Sequence, residues 1–139
     1  MPEAPPRLIP ELLVSDIVVS LRFYLEILGF TILYERPEDC FAHLEREGAR
    51  IMLEQPVGRT FLAGPLEHPY GVGMNLQIQV ANVDALYATV QAANAVVMLS
   101  IEESWYRREQ QLLGNRQFVV QDPDGYLLRF FKDLGARPA

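Results

Sequence analysis

The stretch that decides the architecture is PELLVSDIVVSLRFYLEILGF, residues 10–30. Residues 8–14 are apolar enough for a strand. Pro10 has no N–H to give to a ladder, which restricts that strand to an edge or to its own N-terminal end. Ser15 and Asp16 then offer side-chain oxygens to the unpaired N–H groups of a helix start. Ile17, Leu21, Tyr24 and Leu28 follow as one apolar stripe at helical spacing. Gly29 stands where the helix must end in a left-handed residue.

Downstream, the spacing predicts strands over 30–35, 40–45 and 50–54, separated by a turn at 36–39 and another around Glu47-Gly48. Residues 55–73 are too dense in Gly and Pro for any regular element. A loop of this length in a compact domain is either functional or disordered, and its aromatic residues Phe61 and Tyr70 lean toward function. The grammar then repeats in NLQIQVANVDALYATVQAAN, residues 75–94. Leu76, Ile78 and Val80 alternate with Asn75, Gln77 and Gln79 in a strand over 74–80. Asn82 caps a helix running to 93, with Val83, Leu86, Tyr87 and Val90 as its stripe, and Asn94 ends it. Val14 and Val80, Asp16 and Asn82, and Ile17 and Val83 are each 66 positions apart, so the repeat is in register. Strands follow over 95–99, 116–121 and 126–132, the last two joined by the tight turn Asp122-Pro123-Asp124-Gly125. Residues 101–113 read as an irregular connection, and 133–139 as a trailing end.

The order is therefore βαβββ twice, an α+β fold. One domain is expected over 1–139: a module at 7–55, a loop at 56–73 and a module at 74–133. Neither module alone can bury its sheet. Side by side they would form a curved mixed sheet, with helices outside and a concave cleft within.

Composition narrows the function. The chain has 139 residues, 50% hydrophobic and 22% charged, which supports a core and excludes wholesale disorder. A net charge of −6 argues against a nucleic-acid partner and suits a cationic small molecule. Cys40 is the single cysteine, so no intrachain disulfide forms. No apolar stretch reaches membrane-spanning length. The Pro-rich start, 1–7, lacks the basic-then-apolar order of a signal peptide. A soluble cytoplasmic protein is the expectation. With His43 and His68 the only histidines, a Ser-His-Asp or Cys-His centre has almost no raw material. Asp122 and Asp124 belong to a turn, Cys40 has no flanking base, and Gly71-x-Gly73 lacks the strand–turn–helix setting of a phosphate loop.

Taken together, Pro10 to Asp16, Ser20-Leu21-Arg22-Phe23-Tyr24, Leu28-Gly29-Phe30, Arg116-Gln117-Phe118 and Asp122 to Tyr126 resemble the glyoxalase / bleomycin resistance / extradiol dioxygenase (vicinal oxygen chelate) superfamily, over roughly residues 7–133. The resemblance places metal ligands of the enzymatic members at Ile9, Met52, Asn75 and Arg129. These side chains offer a hard divalent ion little or nothing, and Arg129 repels it. The reading is therefore no metal, no cofactor and no catalytic residue. The chain then looks like the bleomycin resistance branch: homodimers that sequester a cationic glycopeptide in a crevice at the subunit interface, with an N-terminal strand that can be exchanged between protomers. The alternative is a metal-dependent lyase, isomerase or dioxygenase with displaced ligands. A third possibility is a metal-free enzyme using Arg129 and Tyr106.

Candidate ligand-binding residues follow from strand parity and from that resemblance. Phe41 offers an aromatic face for stacking, or ordinary core packing. His43, two residues on, shares its face. Met52 and Glu54 lie on the last strand of the first module, where Glu54 would attract a cation and Met52 would adapt to a flat ligand. Phe61 comes from the long loop and Asn75 from the first strand of the second module. Trp105 and Tyr106 sit in the connection that looks irregular, where aromatic residues favour binding. Trp105 there would replace the stacking Trp that the resistance proteins carry before the Arg-x-Phe strand, where this chain has Gly114-Asn115. Arg129 would point into the cleft and require a partner.

Overall fold

A computed structural model describes residues 4–139, so the first three residues of the Pro-rich arm lie outside the described residues. The chain divides into two units, one ending at Glu67 and the other spanning His68–Ala139. The division falls inside the long loop, which has no helix or strand between Glu54 and Asn75.

In the first unit the strand β1 (Glu11–Leu13) leads into α1 (Ile17–Arg22). Asp16 caps that helix, its carboxylate accepting from the N–H of Val18 at 2.9 Å and of Val19 at 3.2 Å. Gln55 Oε1 accepts a further orphan N–H, from Ile17, at 3.0 Å. The helix continues as a wider π turn over Phe23–Ile27. Of the expected stripe, Tyr24 and Leu28 are fully buried and Ile17 and Leu21 half-buried, with Ser20 and Phe23 buried beside them. Gly29 ends the helix at φ 77°, as the sequence predicts. β2 (Thr31–Arg36), β3 (Phe41–Arg46) and β4 (Ala49–Glu54) follow, and the sheet order is β1-β4-β3-β2. β1 runs parallel to β4, while the other pairs are antiparallel. The β3–β4 turn holds Glu47 at φ 48° and Gly48 at φ 89°, a two-residue connection that a right-twisted hairpin favours.

The second unit repeats this plan with β5 (Asn75–Gln79), α2 (Val83–Ala92), β6 (Val97–Arg108), β7 (Gln111–Gln121) and β8 (Leu127–Pro138), in the order β5-β8-β7-β6. The donors of the closing bonds keep the 66-residue offset, while their acceptors are 77 apart. Val14 N–H donates to Glu54 O and Val80 N–H to Phe131 O, both at 2.9 Å, each ending its strand against the parallel neighbour. Asn82 caps α2 through the Ala85 N–H at 3.1 Å, and Asn94 ends it at φ 57°. Val83, Leu86 and Val90 bury one face of α2; Phe118, Val120, Leu128 and Phe130 bury one face of the sheet. Fully burying each such side chain contributes about 1.5–3 kcal/mol.

Two sequence expectations are corrected in this unit. Residues 101–113 are regular: β6 runs to Arg108, turns through Glu109 at φ 56°, and returns as β7 from Gln111. The sequence conceals this because the turn carries no Gly and β6 contains two irregularities, between Val97 and Leu99 and between Leu99 and Glu102, which break the period-2 pattern. Residues 133–138 do not trail off either. They extend β8 along β7 as far as the pair Gln111–Pro138.

Candidate ligand-binding site

In the first unit, strand parity gathers four of the candidates on the sheet face opposite Ala42 and Leu44. Phe41 is directly opposite Glu54, and His43 directly opposite Met52. Glu11 on β1 flanks Met52 from the other side. Tyr34 completes the patch and carries no signal in the sequence. β2 shifts register between Ile32 and Tyr34, so Ile32 pairs with core-facing Leu44 while Tyr34 pairs with His43. Regular pleating would have put both on one face. The Tyr34 ring meets His43 edge-on at 4.8 Å, and the Arg36 guanidinium lies 4.0 Å above the Phe41 ring.

The electrostatics of this patch are set by burial. His43 is 3% exposed, and neither ring nitrogen has a hydrogen-bond partner among the described residues. Burial first, and then the charge of Arg50, hold its imidazole below the ordinary range, so it is neutral at neutral pH. Glu11 moves the other way: desolvation, the nearby Glu54 carboxylate and a hydrogen bond with it raise its carboxyl, against the pull of Arg36. Two neighbouring carboxyl groups beside aromatic rings can take up a cationic or hydrogen-bond-donating group.

In the second unit the face opposite α2 is hollowed into a cavity of about 560 Å³. Tyr106, Arg129, Gln77, Gln79 and Phe131 line it, together with Arg108 and Asp133. Cross-strand register builds it: Gln77 is opposite Arg129, and Gln79 is opposite Phe131, which is opposite Gln117. Arg129 Nη2 donates to Gln77 Oε1 at 2.5 Å, while its Nε is buried without a partner among the described residues. Gln117, 2% exposed, donates from Nε2 to the Tyr106 hydroxyl oxygen at 2.6 Å and to Glu102 Oε2 at 3.3 Å. Hydrogen bonding with Ser104 and then Gln117, helped by the charge of Arg129, lowers the Tyr106 phenol below the usual tyrosine range despite desolvation and Glu102. The net charge of −6 suggests a cationic ligand, yet this cavity presents two guanidinium groups against one carboxylate.

The remaining candidates are placed differently. Trp105 is adjacent to Tyr106 and so faces away from the cavity. It lies flat on Gly114, where an added Cβ would stand 2.6 Å from the indole, and Arg137 covers it at 3.9 Å. Glycine at position 114 is thus the seat for this ring. Asn75 is exposed at the start of β5, opposite Leu127. Phe61 is 76% exposed, with Arg59 5.0 Å from its ring. Tyr70 is buried edge-on against Tyr126, its backbone N–H donating to Asp124 O at 2.8 Å. Asp122 and Asp124 are turn builders. Asp122 Oδ1 accepts from the N–H groups of Asp124 and Tyr126, both at 2.9 Å, and Asp124 Oδ1 lies 2.8 Å from His68 Nε2.

A divalent metal at the positions the resemblance implies is poorly served in either unit. Ile9 has no donor atom, and Met52 offers only a thioether. Asn75 offers one amide oxygen, and Arg129 brings a permanent positive charge already donating to Gln77. Among the described residues no group of three or more His, Cys, Asp or Glu gathers elsewhere.

A family model described as Glyoxalase/Bleomycin resistance protein/Dioxygenase superfamily matches residues 9–130. A bleomycin resistance protein of Geobacillus stearothermophilus is 29% identical over 135 residues, covering 91% of this chain and 96% of its own length. A Staphylococcus aureus (strain N315) protein of the same name matches with the same figures. Among solved structures, TioX from Micromonospora sp. ML1 is similar with a TM-score of 0.69 at 21% identity, over 93% of this chain and 99% of its own, a likeness of fold.

Proposed function

The chain belongs to the glyoxalase/bleomycin resistance protein/dioxygenase superfamily, and from that membership we propose that it is a binding protein of the bleomycin resistance type. It sequesters an amphipathic, cationic small molecule without transforming it. The observation that carries this reading is the 29% identity to bleomycin resistance proteins across 96% of their length. The chain's own residues support it. The metal positions are filled by side chains that hold no divalent ion. The first unit presents two neighbouring carboxyl groups, Glu11 and Glu54, beside the rings of Phe41 and Tyr34. A planar cationic ligand gains stacking from the exposed ring of Tyr34 and charge from the carboxylates, with Phe41 buried beneath the Arg36 guanidinium. The protein acts in the cytoplasm as a homodimer whose subunits share the crevice.

Titration calorimetry with copper-free and copper-loaded bleomycin tests the reading. Saturable binding is expected, weakened about tenfold by Glu54→Gln through loss of one charge, with the drug recovered unmodified by mass spectrometry. No heat at high micromolar concentration with either form rejects bleomycin as the ligand. Stoichiometric Ni, Zn, Fe or Mn in the purified protein, with turnover, replaces the binder with a metalloenzyme. Light scattering checks the homodimer, which a monomer mass would remove.

A further inference from the structure

We propose that the cavity of the second unit is a receptor for a monoanionic carboxylate carried on an apolar body. The inference rests on the reading of this protein as a small-molecule binder, but not on bleomycin as the ligand.

Arg129 is the first reason. Its guanidinium stands half-buried on a rigid strand, and among the described residues it enters no ion pair. Among those residues its one donated bond goes to a neutral amide, Gln77 Oε1, and its Nε has no partner. A permanently charged fork in such surroundings is best satisfied by a planar group with two acceptor oxygens. The second reason is the setting of Tyr106. A carboxylate can only accept, so Glu102 fixes the Gln117 amide with its NH₂ outward, and that NH₂ also donates to the Tyr106 oxygen. The phenol oxygen is thereby an acceptor for Gln117, and with the Ser104 hydroxyl, also hydrogen-bonded to it, acting as a second donor, the Tyr106 proton is left for a ligand oxygen. Tyr106 O–H and the Arg129 fork both line the cavity, and together they match an oxyanion.

Charge and shape decide the class. Arg108 and Arg129 against Asp133 leave one net positive charge in the lining, partly offset by the Glu102 carboxylate behind Gln117, a balance that suits a monoanion and not a phosphate dianion. Phe131 and Leu113 supply apolar wall, and about 560 Å³ is within the size of small-molecule sites.

The test is an NMR titration of the full chain with benzoate, its neutral analogue benzamide, and phenyl phosphate. Benzoate is expected to bind saturably, with shifts at the Arg129 Nε–H and at Gln77 and Tyr106. Benzamide should bind about tenfold more weakly, and Arg129→Gln should weaken benzoate by a similar factor. Tyr106→Phe removes only the hydroxyl and should cost about threefold; it decides the matter if Arg129→Gln does not fold. The proposal is overturned if benzamide binds as well as benzoate, if folded Arg129→Gln or Tyr106→Phe retains full benzoate affinity, or if the shifts map elsewhere. Phenyl phosphate binding more tightly than benzoate overturns the monoanion assignment. Benzoate binding in a protein that ignores bleomycin sinks the bleomycin reading alone, and the reverse result sinks the carboxylate receptor alone.

Discussion

Removing the side chain of Asp122 should destabilise the second unit more than any charge removed from its surface. Asp122 is 4% exposed, and Oδ1 accepts two backbone N–H bonds, from Asp124 and Tyr126, each at 2.9 Å. Asp122→Ala leaves both donors buried without that acceptor. Each unsatisfied buried group costs about 1–3 kcal/mol, so the pair costs about 2–6 kcal/mol, and partial entry of water puts the expectation near 3 kcal/mol. Asp122→Asn keeps a neutral oxygen in the same place and should lose about 1 kcal/mol. Urea unfolding followed by fluorescence of Trp105, the single tryptophan and a member of this unit, reads the difference. With a slope of about 2 kcal/mol/M, the alanine midpoint falls by about 1.5 M and the asparagine midpoint by about 0.5 M. The reasoning is refuted if Asp122→Ala stays within about 0.5 M of the parent protein. It fails equally if Asp122→Asn falls as far as Asp122→Ala, since the charge and not the acceptor would then hold the turn.

Two further predictions concern the face of the first unit. The lowered imidazole of His43 means that the unfolded chain takes up a proton at the ordinary value of 6.5 while the folded one resists. Its contribution to stability is therefore complete above that value and is lost as pH falls toward the lowered one. His43→Leu should flatten this part of the stability curve, measured by thermal unfolding between about pH 7 and 5; a curve that keeps its slope in the variant excludes His43 as its source. Glu11 has the opposite sign. Its raised carboxyl contributes fully below the ordinary value of 4.5 and loses that contribution as pH rises through the raised one. Glu11→Gln should therefore be more stable than the parent at about pH 7 and not at about pH 4, and an equal difference in urea midpoint at both would contradict the raised Glu11 carboxyl.

Much of the fold was legible because local chemistry wrote it. Asp16 and Asn82 cap their helices, Gly29 and Asn94 end them, and the Asp122 turn closes the last hairpin, all within a few residues of the signal. The doubled βαβββ order and its 66-residue offset follow from the same local marks, and so does the shared face of Phe41 and His43. The extent of β6 and β8 was not legible. Their outer halves are exposed and charged, and the Glu109 turn has no glycine to announce it.

The candidate site divides along the same line. Residue type and the superfamily resemblance pointed to Phe41, Met52, Glu54, Tyr106 and Arg129 as candidates, and regular alternation added His43 on the face of Phe41. Tyr34 joining His43, and Trp105 turning away while Tyr106 enters the cavity, depend on irregularities in β2 and β6. One inserted residue reverses the facing of everything beyond it, and where that residue is inserted is settled by pairing with a strand distant in the chain. The same holds for charge: the chain is acidic as a whole, but the guanidinium groups of Arg108 and Arg129 meet in one hollow only because β6 and β8 flank β7. Composition reports the sum of charges, whereas a ligand meets only those that folding places within a few ångströms of it.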